Sequence, residues 1–402
     1  MPTPCCAFWA TIRLMLPDYQ EIEYYDVLIL GAGPAGATCA LRLRDSGLKV
    51  LLLDKAVFPR DKICGDAVGG RSMKVLAGIC PEAAEDIRAL PEKTSSRRTR
   101  MDFGLKRSFE ISWVLEAYCC RRVDFDNALL EGVKKYAPEI GIREGFLVNS
   151  LEKTDQAYVV GNKTSAQYFK TRMLVACDGS QSFVAKTLNG SKIRLKDHAA
   201  AVRAYYSNVK GMEAERTEIF MLPQFAPGYL WVFPITDKIS NVGFGMLSDS
   251  ISRKKVNLKT QLQAFIQASP ELRERFAGSE QLGKLEGFGL ALGSHRPRMS
   301  GDHFLLAGDA ASLVDPLSGD GISNAIISGR VAADTVREAF AQQRFDAAFL
   351  QRYEKNLFRI IGAEMRRNTL IMRLLTNAPA LVKIGAWVLG FRWAQWVVRR
   401  VL

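Results

Sequence analysis

From Tyr25 onward the chain sets apolar blocks against short glycine turns, in the order YDVLILGAGPAGATCALRLRDSGLKVLLLDK. The block before Gly31 predicts a buried strand, the stretch after Pro34 a helix, Gly47 a turn, and the run ending at Asp54 a second buried strand. Together they make a complete βαβ unit. The middle of the chain has a different rhythm. Apolar and polar positions alternate in Ala199 to Val209, Thr217 to Leu222, Tyr229 to Pro234 and Ser240 to Leu247, which predicts an antiparallel sheet. Helical spacing returns in Leu258 to Ala268. Later, HFLLAGD reads as a strand leading through small residues into a helix from about Gly319 to Ala341. No repeat or low-complexity linker separates these blocks, so the domains are expected to interleave.

Length and charge refine this picture. The 402 residues exceed a single core, which stops growing near roughly 250–300 residues, so two or three sub-domains are expected. With 48% apolar and 24% charged residues, the disordered, collagen and coiled-coil classes are excluded. The formal charge of +13 calls for an anionic partner, and its location narrows the choice. Residues 341–402 hold 11 Lys+Arg against 3 Asp+Glu, which is +8 of that total. There Arg352, Arg359, Arg366 and Arg373 recur every seven residues along one helical stripe, while Leu357, Phe358, Ile361, Met365, Met372 and Leu375 supply apolar contacts elsewhere.

Further on, Trp387, Trp393 and Trp396 stand among Arg392, Arg399 and Arg400, and the uncharged run from Ile384 to Phe391 is far shorter than the ~20 residues of a bilayer span. Two readings stand: an interfacial helix on an anionic membrane, or a basic helix packed on the protein's own surface. Nucleic acid is disfavoured, because the charge is confined to a tail with an apolar companion face. The first 23 residues read as a frayed extension, or as a start placed upstream of Met15. Eight cysteines without a CxxC pair, and the scattered His198, His295 and His303, point to neither a disulfide scaffold nor a metal site.

The candidate chemistry begins at Gly31-x-Gly33-x-x-Gly36, set between strand and helix, with Asp54 18 residues after Gly36. The first glycine serves a tight turn, the second lets backbone approach a pyrophosphate, and the third allows close helix packing; Asp54 would accept from a ribose. This is a dinucleotide site unless the glycines are purely structural. Three segments extend it. Arg122 opens a helix in the register R-x-x-F-D, with Arg121 as the alternative. Cys177-Asp178-Gly179-Ser180 follows an apolar run, and Gly308-Asp309 precedes Pro316 and Gly319-Asp320-Gly321-Ile322 at a helix start.

In this order the segments resemble the FAD-binding fold of flavoprotein hydroxylases. FPRDKICGDAVGG (Phe58 to Gly70), and Tyr229-x-Trp231-x-Phe233-Pro234 followed by Gly243-x-Gly245, are similar to the geranylgeranyl reductase family. The resemblance covers Tyr25 to about Ala341. It implies an α/β protein whose Rossmann-like FAD-binding domain (24–75, 112–187 and 288–340) interleaves with an antiparallel-sheet substrate domain (76–111 and 188–287). An N-terminal extension (1–23) and a basic helical region (341–402) complete the chain. It also implies FAD against Ala35, Asp54, Cys64, Gly65, Ala67, Arg122, Val148, Asp309, Gly321 and Ile322. Asp54 stands where the family usually has Glu.

The implied activity is saturation of carbon–carbon double bonds in isoprenoid chains on lipids, prenyl diphosphates or quinones. Tyr229, Trp231 and Phe233 would wall a tunnel for the chain, and Tyr229, Cys64 or water would donate the proton. Trp231 and Tyr229 could equally form a plain packing face, and Cys64 a buried thiol. Electrons would come from NAD(P)H or a ferredoxin-like donor. The expected place is the cytoplasm, with or without peripheral attachment of 341–402 to the membrane face. The alternative is a monooxygenase or halogenase acting on an aromatic substrate.

Overall fold

The structure is a computed structural model, and it describes residues 22–103, 108–225 and 228–377. The tryptophan-rich stretch beyond Asn377 and the first 21 residues, on which the extension and the Trp387, Trp393 and Trp396 readings fall, lie outside the described residues.

The βαβ unit forms where the apolar pattern places it. Strand β1 (Glu23–Leu30) leads into α1 (Pro34–Leu43), and β2 (Val50–Leu53) returns parallel to β1, with Val27 opposite Val50. Val27, Leu28 and Ile29 are wholly buried, as a central parallel strand requires. On the other side of β1 lies β6 (Gln167–Ala176), then β12 (Phe304–Leu306); β5 (Gly141–Arg143) flanks β2. Helices α4 (Arg122–Tyr136) and α5 (Ile322–Gln342) pack in the same core. At the contact of α1 with α5, a Cβ on Gly329 would fall 2.2 Å from the Ala35 carbonyl oxygen.

The alternating segments form a second, seven-stranded sheet. Its order is β11 (Glu280–Ala291), β7 (His198–Ser207), β10 (Ile239–Leu247), β9 (Tyr229–Pro234), β8 (Arg216–Phe220), β3 (Arg98–Asp102) and β4 (Ser108–Ser112). All neighbours are antiparallel except β8 and β3, which run parallel. One face carries Val202, Ala204, Val242, Phe244, Leu230 and Val232 and is covered by Leu262, Phe265 and Ile266 of the helix Leu258–Ala268. The opposite face, with Ala201, Arg203, Trp231 and Gly245, looks into a cavity.

One expectation is corrected. Residues 76–111 do not go together to the substrate side: Leu76, near the end of α2 (Gly70–Ala77), and Ala83, Ala84 and Ile87 of α3 (Pro81–Arg88) are buried in the core of the first sheet, and only β3 and β4 join the second. Their apolar helical faces need that core for burial. The basic region is helical over its described length and packs against the protein's own core. Helix α6 (Ala347–Asn377) buries Phe349, Leu350, Tyr353, Leu357, Ile361 and Met365 in the same core, and Tyr353 donates to the Leu306 carbonyl at 2.7 Å. Its outward face keeps Arg359, Arg366 and Arg373 exposed, with Leu370 at 67% and Leu374 at 55% exposure. No helix among the described residues is long and apolar enough to cross a membrane.

Candidate active site

At the end of β1 the chain reverses at Gly31, whose φ of +97° suits glycine; a Cβ there would sit 2.4 Å from the Cys177 carbonyl oxygen. A Cβ on Gly36 would fall 1.8 Å from the Gly31 carbonyl oxygen, so the third glycine lets helix meet turn and does not itself line the cavity. Gly33 does line it and caps α1 without a side-chain partner. Asp54 anchors the turn from below: its Oδ2 accepts from the Ala32 N–H at 2.7 Å and its Oδ1 from the Ala56 N–H at 2.8 Å.

A second helix start opens on the same cavity: Gly321 caps α5 with no side-chain bond of its own, while Asp320 Oδ1 accepts from the Ser323 N–H at 3.0 Å. The start of α1, which has no side-chain cap, and the start of α5, where Asp320 takes one of the first N–H groups, face one space and provide N–H donors and positive potential for an anionic group. The residues present therefore fit the pyrophosphate of a dinucleotide.

The cavity holds about 970 Å³, at the upper end of the roughly 300–1,000 Å³ of small-molecule sites. It brings together Gly31, Gly33, Ala35, Asp54, Cys64, Gly65, Ala67, Arg122, Val148, Asp309, Gly321 and Ile322, and reaches on to Tyr229, Trp231 and Phe233. Cys177, Asp178, Gly179 and Ser180 also border it, and Asp178 caps the helix Phe183–Asn189 by accepting from the Phe183 N–H at 2.8 Å.

Between the two arginines the geometry is unambiguous. Arg121 pairs with Glu92 and Asp124 outside the cavity lining, whereas Arg122 is buried in a bidentate pair with Asp126, at 2.7 and 2.6 Å. Burial alone would raise the Asp126 carboxyl; Arg122 and Arg60, the latter at 2.6 Å, override it and hold the group below the usual carboxylate range. Burial also pushes the Cys64 thiol up despite the nearby Arg122 guanidinium, so Cys64 is a neutral thiol near pH 7.

The substrate-side face is a trough. Across neighbouring strands Ile219, Trp231, Gly243, Arg203 and Glu286 form one row, and Tyr229, Gly245, Ala201 and Phe288 the next. Glycine and alanine make the floor; Tyr229 and Trp231 rise on one side and Phe288 on the other. The ring centroids of Tyr229 and Trp231 are 6.1 Å apart, and those of Trp231 and Phe233 6.3 Å. The Tyr229 hydroxyl donates to the Ser318 carbonyl at 3.1 Å, and burial pushes its phenol up to about 12.

Met372, Leu375 and Thr376 of α6 close the far end. These, with Arg60, Lys62, Ile219 and Phe288, are lining residues that sequence reasoning missed. Lys62 pairs with Asp309 at 2.9 Å across the cavity wall. Among the described residues, no group of three or more His, Cys, Asp or Glu side chains could hold a metal ion.

A glycine cradle with two helix starts, continuous with an apolar trough, is the arrangement that comparison with known proteins clarifies. Residues 24–356 match the FAD binding domain family. The digeranylgeranylglycerophospholipid reductase 1 of Methanopyrus kandleri is 30% identical over 82% of this chain and 85% of that protein. The chain belongs to the geranylgeranyl reductase family of FAD-dependent oxidoreductases. A crystal structure of a geranylgeranyl bacteriochlorophyll reductase-like protein from Thermoplasma acidophilum superposes with a TM-score of 0.79 at 24% identity, covering 92% of each chain, and shows the shared fold. The family's wider surroundings are also visible: a pyrrole-carrier-protein brominase of Pseudoalteromonas luteoviolacea is 28% identical over 80% of this chain and 79% of its own.

Proposed function

We propose that this family member uses FAD to saturate isoprenoid double bonds on a prenyl lipid, prenyl diphosphate or quinone tail. The observation that carries the reading is the trough: one space runs from the glycine cradle to a greasy channel floored by Ala201 and Gly245 and closed by Met372 and Leu375. An extended apolar chain fits such a channel, and a small polar substrate would leave it unfilled. When bound, FAD would supply the hydride, replenished as hydride from NAD(P)H or as two electrons from a ferredoxin-like donor with a proton from water.

The chain's own residues supply the rest. The N–H groups at the starts of α1 and α5 hold anionic oxygens, Asp54 and Asp309 accept from hydroxyls, and Ala35, Cys64, Gly65, Ala67, Arg122, Val148 and Ile322 shape the cradle. The trough excludes water and keeps the alkene beside the reacting ring. The Trp231 and Tyr229 faces favour positive charge developing on an alkene carbon. That charge develops as the other alkene carbon takes a proton from the neutral Cys64 thiol, the Tyr229 phenol or a bound water, each protonated near pH 7, and the hydride completes the saturated bond.

A halogenase or monooxygenase reading is favoured by the brominase similarity, and one experiment separates the two. The purified protein is reduced without oxygen and mixed with geranylgeranyl diphosphate. Reoxidation of flavin with gain of two hydrogens per saturated bond supports the reductase; reoxidation only when oxygen is admitted, with an oxygenated or halogenated aromatic product, overturns it. The proposed location is cytoplasmic, with peripheral attachment through the outward face of α6. Flotation with anionic vesicles should fall in the double variant Arg366→Glu, Arg373→Glu.

A further inference from the structure

Asp66 stands directly behind the cavity wall, between two residues that line it, and is itself fully buried with φ at +63°. Non-glycine residues adopt that backbone rarely, Asp more readily than most. Its Oδ2 accepts from the Tyr205 hydroxyl at 2.7 Å and from Asn241 Nδ2 at 2.8 Å, while its Oδ1 is buried without a hydrogen-bond partner. Asn241 is just as buried. It donates also to the Cys64 carbonyl at 2.8 Å, and its Oδ1 accepts from Trp231 Nε1 at 2.8 Å. One carboxylate and one amide thus join the cofactor-side segment Cys64-Gly65 to the indole on the substrate side.

We propose that Asp66 is a positioning residue: through Asn241 it holds the Cys64–Gly65 backbone and the Trp231 ring at one relative setting, so that the two walls of the cavity move as a unit. A segment that merely had to fill this space would do so with an apolar side chain, because an orphaned buried oxygen is costly. The carboxylate is accounted for by the two donors it gathers, one from β7 and one from β10. The ring it orients lies against Gly65, where a Cβ would be 3.5 Å from Trp231 Nε1, so a small rotation of either wall changes the width of the gap. The catalytic consequence rests on the function proposed above; the geometric one does not.

Three full-chain variants test this. Asp66→Gly keeps the left-handed backbone and removes the carboxylate, Asp66→Asn keeps the shape and an acceptor, and Asn241→Leu cuts the link to Trp231. In cofactor-free protein, alkylation of Cys64 by iodoacetamide, followed by peptide mass spectrometry, is expected to quicken about tenfold in Asp66→Gly and Asn241→Leu and to stay within about twofold in Asp66→Asn. With flavin and geranylgeranyl diphosphate, kcat should fall about tenfold or more in the first two with KM little changed, and recover in Asp66→Asn.

Unchanged Cys64 labelling in the first two variants overturns the proposal whatever happens to turnover, and leaves Asp66 a purely structural group. Altered labelling in a protein that reduces no isoprenoid, even unmutated, keeps the positioning role and removes the function proposed above. Should Asp66→Gly fail to fold, Asn241→Leu and Asp66→Asn decide by the same two readouts.

Discussion

Trp231 lies opposite Gly243 in the antiparallel pair of β9 and β10, and a Cβ added at Gly243 would stand 2.1 Å from the indole. The glycine is the space the ring occupies. Gly243→Ala must therefore lift the indole into the trough and break its 2.8 Å bond to Asn241. Overpacking of this kind costs roughly 1–3 kcal/mol. The expected result is a lower melting temperature and a loss of isoprenoid turnover with flavin content preserved, checked by thermal melts beside the absorbance of the desalted protein.

The glycine turn yields a contrast between neighbours. At Gly31 a Cβ meets the rigid Cys177 backbone at 2.4 Å, and the positive φ adds about 1–2 kcal/mol for any other residue. At Gly33 the nearest atom is the guanidinium end of Arg60, at 3.6 Å. Gly31→Ala should thus destabilise the apoprotein itself. Gly33→Ala should leave apoprotein stability nearly unchanged and weaken cofactor retention, because its methyl group faces the cavity. Flavin per chain after gel filtration, set against urea midpoints of the apoproteins, checks both.

Much of this was legible from local pattern. Buried strands declare themselves by continuous apolar runs, and the trough strands by alternation; the Arg122–Asp126 pair was already present in R-x-x-F-D at helical i, i+4 spacing. What stayed hidden depends on contacts distant in sequence. Periodicity announces that α2, α3 and α6 each bury one face, but does not name the surface that covers it, so the core role of Tyr353 and the cavity role of Met372 could not be read. The parallel pairing of β3 with β8 has no local signal either. Asp66 looked like part of a family string, and its partners Tyr205 and Asn241 are more than a hundred residues away.

Asp66 also makes stability depend on pH. Burial raises its carboxyl from 3.8 to about 6, against the opposing pull of the Tyr205 and Asn241 hydrogen bonds and of Arg203 and Arg122; the thiols of Cys64, Cys119 and Cys120 also feel its charge. The folded chain therefore holds this proton more tightly than the unfolded chain. The contribution is fully present below about pH 4 and is lost as pH rises through about 6, a change of roughly 3 kcal/mol at about 1.4 kcal/mol for each tenfold difference in proton affinity. Asp66→Asn does not titrate. The stability difference between the unmutated protein and Asp66→Asn should move in favour of the former as pH falls from 7 to 4, measured by urea unfolding; a difference constant with pH would refute the proposed protonation.

The far end of the trough offers a ruler for chain length. Met372 is 7% exposed, lines the cavity and packs with Leu247, Leu292 and Val314, which come from the end of β10 and the loops beside the second sheet. These neighbours are backed by packed elements, so a larger side chain at 372 has only the cavity to grow into. Met372→Trp should shorten the channel without touching the glycine cradle, leaving flavin content unchanged. Pocket contacts of this kind are worth about 1–3 kcal/mol per methylene, so the ratio of kcat/KM for geranylgeranyl over geranyl diphosphate should drop by about tenfold or more. Met372→Ala should spare or raise that ratio, since it lengthens the same space. Competition between the two diphosphates, read as product masses, tests the pair; an unchanged ratio in Met372→Trp would mean that the isoprenoid never reaches α6.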